Sequence, residues 1–243
     1  LYLLDTNMPV NGAFDRTITQ TLYGGDTEMR ICQEIILGIG GLKALFEMGL
    51  EPTACHMNEG HAAFMALERV RKLRSHHNIT FEEALETAKA SNIFTVHTPV
   101  AAGNDEFPVE MIDKYFAHYY GKLGINREQF LALGRVHPSD THESFKMPVL
   151  ALRTSAFRNG VSQLHGEVSR TIWSGLWPEL PADEVPINAI TNGIHAKTWL
   201  SAELNLLFER YLGSRWADEA VDKSIWHNLD QVPDEELWRI HQR

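Results

Sequence analysis

Short apolar runs that end in polar residues recur along this chain, and stretches with helical spacing lie between them. "PTACHMN" and "NIFTVHT" carry the apolar, β-branched and aromatic side chains that suit buried strands. "YLLDTN" and "PINAI" have the same character, so strands are predicted there too. Strands that alternate with helices of about ten residues or more predict an α/β domain with a mainly parallel sheet flanked by helices.

The pattern changes near residue 191. Residues 192–243 are almost entirely helical in spacing, and they include an amphipathic helix predicted over Ser201–Leu212. We therefore predict a first domain over residues 1–191 and a mostly helical tail over 192–243 that belongs to a neighbouring domain or to a linker. The chain opens inside the apolar run "LYLLD" without an initiator Met and stops inside the helical pattern "DEELWRIHQR". We interpret it as an internal segment of a longer polypeptide.

Capping residues mark several predicted helix boundaries. Asp26 or Thr27 can cap a long helix that Gly49 ends, and Thr80 with Glu83 forms a capping box ahead of another helix. Further helices are predicted from Gly60 to about Ser75, from Pro108 to Gly124, and over most of Met147–Trp177. The glycines of "GIGGLK" lie inside the first helix and lack the spacing of a phosphate loop, which favours close packing between helices.

Composition and charge exclude some functions. The 243 residues carry a formal net charge of -10, which argues against general binding to nucleic acid. No apolar run approaches the roughly 20 residues of a membrane helix, so no membrane partner is expected. Two cysteines, Cys32 and Cys55, form no disulfide framework, and the simplest expectation is a reducing, cytoplasmic location.

The run "HMNEGH" places His56 and His61 around Glu59 where a strand turns into a helix. A zinc-protease helix needs two histidines four residues apart beside a glutamate, but here the spacing is five and Gly60 intervenes. That difference weighs against a metal site. Histidines satisfied by local hydrogen bonds are the second interpretation, and a polar ligand site at the end of a strand is the third and favoured one.

Two other predicted strands end in the same way. His97 and Thr98 follow "NIFTV" and precede a loop of small residues, while Asn192 and His195 follow "PINAI". Parallel sheets bind ligands at the carboxyl ends of their strands, where such side chains would gather. Histidine, asparagine, threonine and glutamate offer the donors and acceptors that an uncharged, hydroxyl-rich sugar requires. The strand exits therefore predict a sugar-binding crevice.

These same stretches resemble the α-glucan (glycogen/maltodextrin) phosphorylases, especially their shorter bacterial and archaeal branch. "LLDTN", "YGGDTEMRICQE", "HMNEGHAAF", "FTVHTPVAAGNDEF", "NGVSQLHGEVS" and "TNGIHAKTWL" occur in the order of that family, over residues 1 to about 200. The resemblance implies the two-domain glycosyltransferase B (GT-B) fold, in which two Rossmann-like halves face a cleft. Residues 1–191 would then belong to the N-terminal glucan-binding half, and residues 192–243 would begin the second, cofactor-binding half.

The resemblance also implies an activity. The family transfers a glucosyl unit from the non-reducing end of an α-1,4-glucan to inorganic phosphate and releases glucose 1-phosphate with retention. Its cofactor is pyridoxal phosphate, whose phosphate group relays the proton. The lysine that binds this cofactor and the cationic phosphate-binding residues are expected outside this chain. The segment is therefore expected to hold no catalytic, cofactor-binding or metal-binding residue, and to be inactive without the remainder of its polypeptide. Family members are often homodimers.

Five residues match sugar-positioning residues of the family. His97 matches a histidine whose backbone carbonyl faces the glucosyl unit, and Thr98 sits beside it. Asn192 matches an asparagine that hydrogen-bonds the sugar 6-hydroxyl. His61 and Glu59 match a histidine and a carboxylate next to the anomeric face, although animal-type members have Asp where this chain has Glu59.

Three alternatives remain open. A glycogen or starch synthase has the same fold and would depend on a sugar nucleotide. A non-catalytic glucan-binding module would bind glucan without turnover. A metal-dependent hydrolase would require stoichiometric zinc.

Overall fold

The structure is a computed structural model that describes residues 1–22, 24–100 and 103–242. It divides the chain into two compact units, residues 1–191 and residues 192–243. Tyr23, and the alanines 101 and 102 of the predicted small-residue loop, lie outside the described residues.

A parallel sheet forms the centre of the first unit. Its strands are β1 (Cys55–Asn58), β2 (Asn92–Val96), β5 (Phe157–Gly160) and β6 (Asn188–Ala189), in the order β1-β2-β5-β6. All three pairings are parallel, so the four carboxyl ends lie along one edge. A separate antiparallel pair joins β3 (Glu106–Phe107) to β4 (Phe145–Lys146). The α/β prediction is confirmed.

Helices flank this sheet. They are α1 (Thr27–Ile35), α2 (Gly41–Glu47), α3 (Phe64–His77), α4 (Phe81–Lys89), α5 (Val109–Phe116), α6 (Tyr120–Leu123), α7 (Arg127–Ala132), α8 (Met147–Arg153) and α9 (Gln163–Trp173). A π-helical turn over Ile36–Gly40 joins α1 to α2, and a 3-10 turn over Gly60–Ala62 precedes α3. Asp26 caps α1 by accepting a hydrogen bond from the Met29 amide at 2.9 Å, as predicted.

The predicted capping box of α4 is also present. Thr80 Oγ1 accepts from the Glu83 amide at 3.2 Å, and the Glu83 carboxylate accepts from the Thr80 amide at 2.8 Å. Gly38, between α1 and α2, packs closely on α3, since a Cβ there would lie 2.6 Å from the Met65 amide nitrogen. The helix-packing interpretation is therefore confirmed for Gly38, whereas Gly40 and Gly41 have room for a Cβ.

The core of the first unit lies between the sheet and these helices. β1 and β2 contribute Met57, Phe94 and Val96, all fully buried. On the helical side, four phenylalanines form a contiguous cluster in which the Phe64 and Phe116 rings are 4.6 Å apart. Burial on this scale holds β1 and β2 rigidly side by side, and it thereby fixes the positions of the residues at their carboxyl ends.

One predicted strand is absent from the structure, and one strand was missed. "YLLDTN" is not a strand, and Leu1 and Leu3 are largely exposed. A strand needs a hydrogen-bonded neighbour, but Thr6 instead exchanges hydrogen bonds with Thr19 and lies outside the sheet. The stretch Met147–Trp177 is mostly helical, as predicted, but the missed strand β5 interrupts it.

Strand β5 was missed because its sequence, "FRNG", is polar and lacks strand character. Its polar side chains are nevertheless buried and satisfied. Arg158 Nε donates to the Leu152 carbonyl at 2.7 Å, and Asn159 Oδ1 accepts from Thr95 Oγ1 at 3.0 Å. Hydrogen bonds to other parts of the chain therefore satisfy this strand in place of apolar contacts, so its sequence shows no apolar pattern.

The second unit is helical, as predicted. It contains α10 (Ala196–Trp199), α11 (Ala202–Leu212), α12 (Lys223–Trp226) and α13 (Asp234–His241). Ser201 caps α11 through its contact with the Leu204 amide at 3.1 Å. The rings of Phe208, Trp216 and Trp226 form its small core.

The two cysteines are separate in the fold. Cys32 and Cys55 are buried free thiols, which confirms that they form no disulfide. Among the helices described, none is both long enough and apolar enough to cross a bilayer.

Candidate functional site

The exits of β1 and β2 lie side by side because these strands are parallel neighbours. Asn58, the last residue of β1, is in register with Thr95 of β2. Glu59 and His97 are the first residues beyond the two strands, and the Glu59 amide donates to the Thr95 carbonyl at 3.0 Å. Residues almost forty positions apart in sequence therefore meet at one edge of the sheet.

Glu59 is the centre of this edge. Its Oε2 accepts hydrogen bonds from the His97 amide at 2.8 Å, from the Thr98 amide at 2.9 Å and from Thr98 Oγ1 at 3.0 Å. Its Oε1 accepts from the Gly60 amide at 2.9 Å. The carboxylate thus ties the β1 exit to the β2 exit. We call Glu59, His61, His97 and Thr98 the strand-exit cluster.

The side chain of His97 is also held from β1. Its Nε2 lies 2.5 Å from Asn58 Oδ1, and since an amide oxygen only accepts, His97 Nε2 is the donor. His97, Thr98, Glu59 and His61 are all half-buried, so each has a solvent-facing part that a ligand could reach. The cluster is therefore a fixed but accessible group of donors and acceptors.

A second set of hydrogen bonds crosses the sheet beneath the cluster. His56 Nε2 lies 2.7 Å from Thr95 Oγ1, which in turn donates to Asn159 Oδ1 at 3.0 Å. This network links β1, β2 and β5 through polar side chains. The partner of His56, the first histidine of "HMNEGH", is therefore a residue of the neighbouring strand.

His61 lies in the 3-10 turn that follows Glu59. Burial is the main cause that lowers the pKa of His61 from its ordinary value of 6.5, and nearby Glu59 opposes that shift. The imidazole is therefore neutral at pH 7 and can both donate and accept. Gly60 allows this turn to approach α8, because a Cβ there would meet Pro148 at 3.1 Å.

Three residues that sequence reasoning missed hold the far end of the loop after β2. Arg30 of α1 forms a 2.7 Å ion pair with Asp105 and donates a longer hydrogen bond, 3.4 Å, to Glu34. Burial, together with the charge of Asp105, raises the pKa of Glu34 to about 9, so Glu34 is protonated at neutral pH. The four-residue spacing of Arg30 and Glu34 in "RICQE" was the available signal, but Asp105 lies 75 positions from Arg30.

The third predicted strand exit lies partly in the second unit. Strand β6 ends at Ala189. Asn192 and His195, which follow it, are exposed and belong to the second unit. His195 Nδ1 lies 2.7 Å from Thr198 Oγ1, which is a local contact. Of the five predicted site residues, the structure brings together Glu59, His61, His97 and Thr98, and Asn192 belongs to the other unit.

The metal interpretation of "HMNEGH" finds no support in the described residues. Within residues 1–22, 24–100 and 103–242, no group of three or more His, Cys, Asp or Glu side chains is arranged to hold a metal ion. The chemistry of the cluster is that of imidazole, hydroxyl, backbone amide and one carboxylate. Such groups bind and orient hydroxyl-bearing ligands.

A parallel α/β sheet with hydrogen-bonding side chains at its carboxyl edge defines the class of this protein as a Rossmann-like half of a ligand-binding α/β fold. Comparison with known sequences narrows this class. The family model for carbohydrate phosphorylases matches residues 32–238. The chain belongs to the carbohydrate phosphorylase family, which has the GT-B fold, and the resemblance found in the sequence motifs is thereby confirmed.

Individual relatives agree with this assignment. Maltodextrin phosphorylase of Thermococcus litoralis is 43% identical over 241 residues, covering 99% of this chain and 28% of that protein. Glycogen phosphorylase of Mycobacterium tuberculosis is 40% identical, again over 99% of this chain and 28% of the relative. Glycogen phosphorylase of Aquifex aeolicus is 36% identical over 100% of this chain and 34% of its own length. The chain spans about a third or less of these relatives.

Proposed function

We propose that the polypeptide carrying this chain is an α-1,4-glucan phosphorylase. It transfers a glucosyl unit from the non-reducing end of glycogen or maltodextrin to inorganic phosphate and forms glucose 1-phosphate. The observation that carries the proposal is the strand-exit cluster, in a chain whose relatives are named maltodextrin and glycogen phosphorylases. The sugar is the ligand that best fits neutral donors and acceptors around a single carboxylate.

In this proposal the chain binds and orients the glucosyl unit. The His97 carbonyl and Thr98 face the sugar at the β2 exit. His61, neutral at pH 7, lies beside the anomeric face and can donate to or accept from a hydroxyl group. None of these residues acts as a nucleophile. Their contribution is orientation, which converts binding energy into the correct placement of the reacting bond.

Pyridoxal phosphate is the cofactor on which this family generally depends. The strand-exit cluster does not fit that group. Its hydrogen bonds, within the described residues, come from histidine, asparagine, threonine, glutamate and backbone amides, with neither a lysine for a Schiff base nor a cationic cradle for a phosphate. In the proposal, residues elsewhere in the polypeptide hold the cofactor.

The domain roles are part of the same proposal. Residues 1–191 belong to the N-terminal glucan-binding domain, and residues 192–243 begin the second domain. Asn192 stays a predicted contact to the sugar 6-hydroxyl. The homodimer, the cytoplasmic location and the inactivity of the segment alone also stay predictions.

The test is phosphorolysis by the full-length protein that contains this chain. Maltoheptaose and inorganic phosphate are incubated with the protein, with and without pyridoxal phosphate, and glucose 1-phosphate is measured. Release that depends on the cofactor supports the proposal. Transfer from a sugar nucleotide without phosphorolysis would identify a synthase instead, and glucan binding without either reaction would identify a binding module.

A further inference from the structure

We infer that Glu59 is a positioning residue, which fixes the His97 carbonyl through the peptide group that follows it and does not itself contact the sugar. This inference rests on the proposed function, and it changes the role that the resemblance implies for Glu59. Three observations carry it: the saturated Oε2 of the carboxylate, the unusual backbone of Glu59, and the geometry of the peptide group that it holds.

Oε2 of Glu59 is already occupied. An ionised carboxylate has about four acceptor positions, two on each oxygen, and no donor. Three hydrogen bonds from the chain saturate Oε2, and a fourth lies on Oε1. A sugar hydroxyl that sought Oε2 as an acceptor would have to displace one of these bonds. Three of the four donors belong to His97 and Thr98, so the loop after β2 is the partner of the carboxylate.

The backbone of Glu59 supports the same conclusion. Its φ is 78° and its ψ is 168°, a region that is essentially restricted to glycine. Asn78, with φ 52° and ψ 43°, is in the ordinary left-handed region that asparagine tolerates at the end of a helix. A glutamate persists in the unfavourable region only when its surroundings hold it there. Here the four hydrogen bonds of the side chain supply that constraint.

The peptide group held by Glu59 carries the carbonyl that is positioned. The Thr98 N–H and the His97 C=O belong to one planar trans peptide group, in which they point in opposite directions. Glu59 Oε2 accepts from this N–H at 2.9 Å. The carbonyl of His97 must therefore point away from Glu59, and rotation of the peptide would break this bond. That carbonyl is the group proposed to face the glucosyl unit.

The first test uses the full-length protein and compares Glu59→Gln with the wild type in chain elongation. The donors are glucose 1-phosphate and each of its monodeoxy analogues, with maltoheptaose as acceptor. A positioning role predicts that Glu59→Gln lowers kcat/KM about 100-fold for every donor alike. A direct contact predicts that the loss disappears for the one analogue that lacks the contacted hydroxyl, and this result would overturn the inference.

The second test needs no catalysis. Amide hydrogen exchange at His97 and Thr98 is measured in the ligand-free protein, since both amides donate to Glu59. Slow exchange in the wild type that becomes fast in Glu59→Gln supports the positioning role, even for a protein that fails to phosphorolyse glucan. Unchanged exchange overturns it. Failure of the proposed function is thus distinguishable from failure of this inference.

Glu59→Asp covers the case in which Glu59→Gln does not fold. It retains the charge but shortens the reach to the β2 exit. A uniform loss across the donor analogues, with partly restored amide protection, is the expected result. Full activity together with lost protection would contradict the inference.

Discussion

Two glutamates hold opposite ends of the segment between β2 and β3, and their surroundings differ. Glu59 accepts three hydrogen bonds from His97 and Thr98, at the start of the segment, and a fourth from the Gly60 amide. Glu34 lies near its end, beside Arg30 and Asp105, and burial raises its pKa to about 9. Glu59 is half-buried, whereas Glu34 is only 2% exposed.

The difference shows that burial and the supply of donors, and not the residue type, decide how a carboxyl group is held. Backbone amides and the Thr98 hydroxyl supply four donors to Glu59. Around Glu34, the single guanidinium of Arg30 is shared with Asp105, so desolvation prevails and the proton is retained. Replacing each glutamate by glutamine should therefore change stability in opposite directions.

The largest expected effect is this opposite response to an isosteric change. At pH 7 Glu34 is ionised in the unfolded chain but protonated in the folded one, which favours unfolding. Glu34→Gln removes this difference and should raise the free energy of unfolding by as much as about 3 kcal/mol. Glu59→Gln places an amide among donors and should lower it by roughly 1.5–3 kcal/mol. Urea denaturation of the two variants at pH 7 measures both. Changes of the same sign would refute the comparison.

The pH dependence of stability tests the state of Glu34 directly. Its folded pKa, about 9, is raised above the ordinary value of 4.5, so the unfolded chain ionises first as pH rises. The stabilisation that Glu34 contributes is complete below about pH 4.5 and is lost progressively up to about pH 9. The free energy of unfolding of the wild type minus that of Glu34→Gln, measured by denaturation from pH 5 to pH 9, should decline in this way. A flat difference would mean that Glu34 is ionised in the fold.

A smaller effect is expected from removing a single donor to Glu59. Thr98→Val deletes the hydroxyl that donates to Oε2 at 3.0 Å, and it should lower the free energy of unfolding by about 1.5 kcal/mol. Thr98→Ser keeps the hydroxyl and is the matched control. Thermal and urea unfolding of both variants would separate the lost hydrogen bond from the lost methyl group. Equal destabilisation by both changes would assign the effect to packing.

The smallest effect concerns His61 of the strand-exit cluster. The charged or titratable groups that influence it are Glu59, Arg30, Asp105 and His97. Burial lowers its folded pKa, so the unfolded chain binds a proton first as pH falls below about 6.5, and stability falls with it. His61→Asn should flatten the stability profile between pH 7 and pH 5. A profile that keeps its slope would assign the slope to another group.

Local signals predicted much of the fold. Asp26, Thr80 with Glu83, and Ser201 mark helix starts because a cap needs only a side-chain oxygen a few residues away in sequence. Strands β1, β2 and β6 were predicted from apolar runs. Local pattern failed for "YLLDTN", which is apolar but outside the sheet, and for β5, whose polar side chains are buried through hydrogen bonds to other elements.

For the candidate site, the sequence determined which chemical groups stand at the strand exits. Histidine, threonine and glutamate follow β1 and β2 because the chain order places them there. Only the tertiary structure decided their partners: Glu59 meets His97 and Thr98 across 38 and 39 positions, and Asp105 meets Arg30 across 75. Parallel strands bring such distant residues together, and the resulting burial and donor supply set the state of each carboxyl group. Those quantities depend on three-dimensional neighbours, which no local stretch of sequence contains.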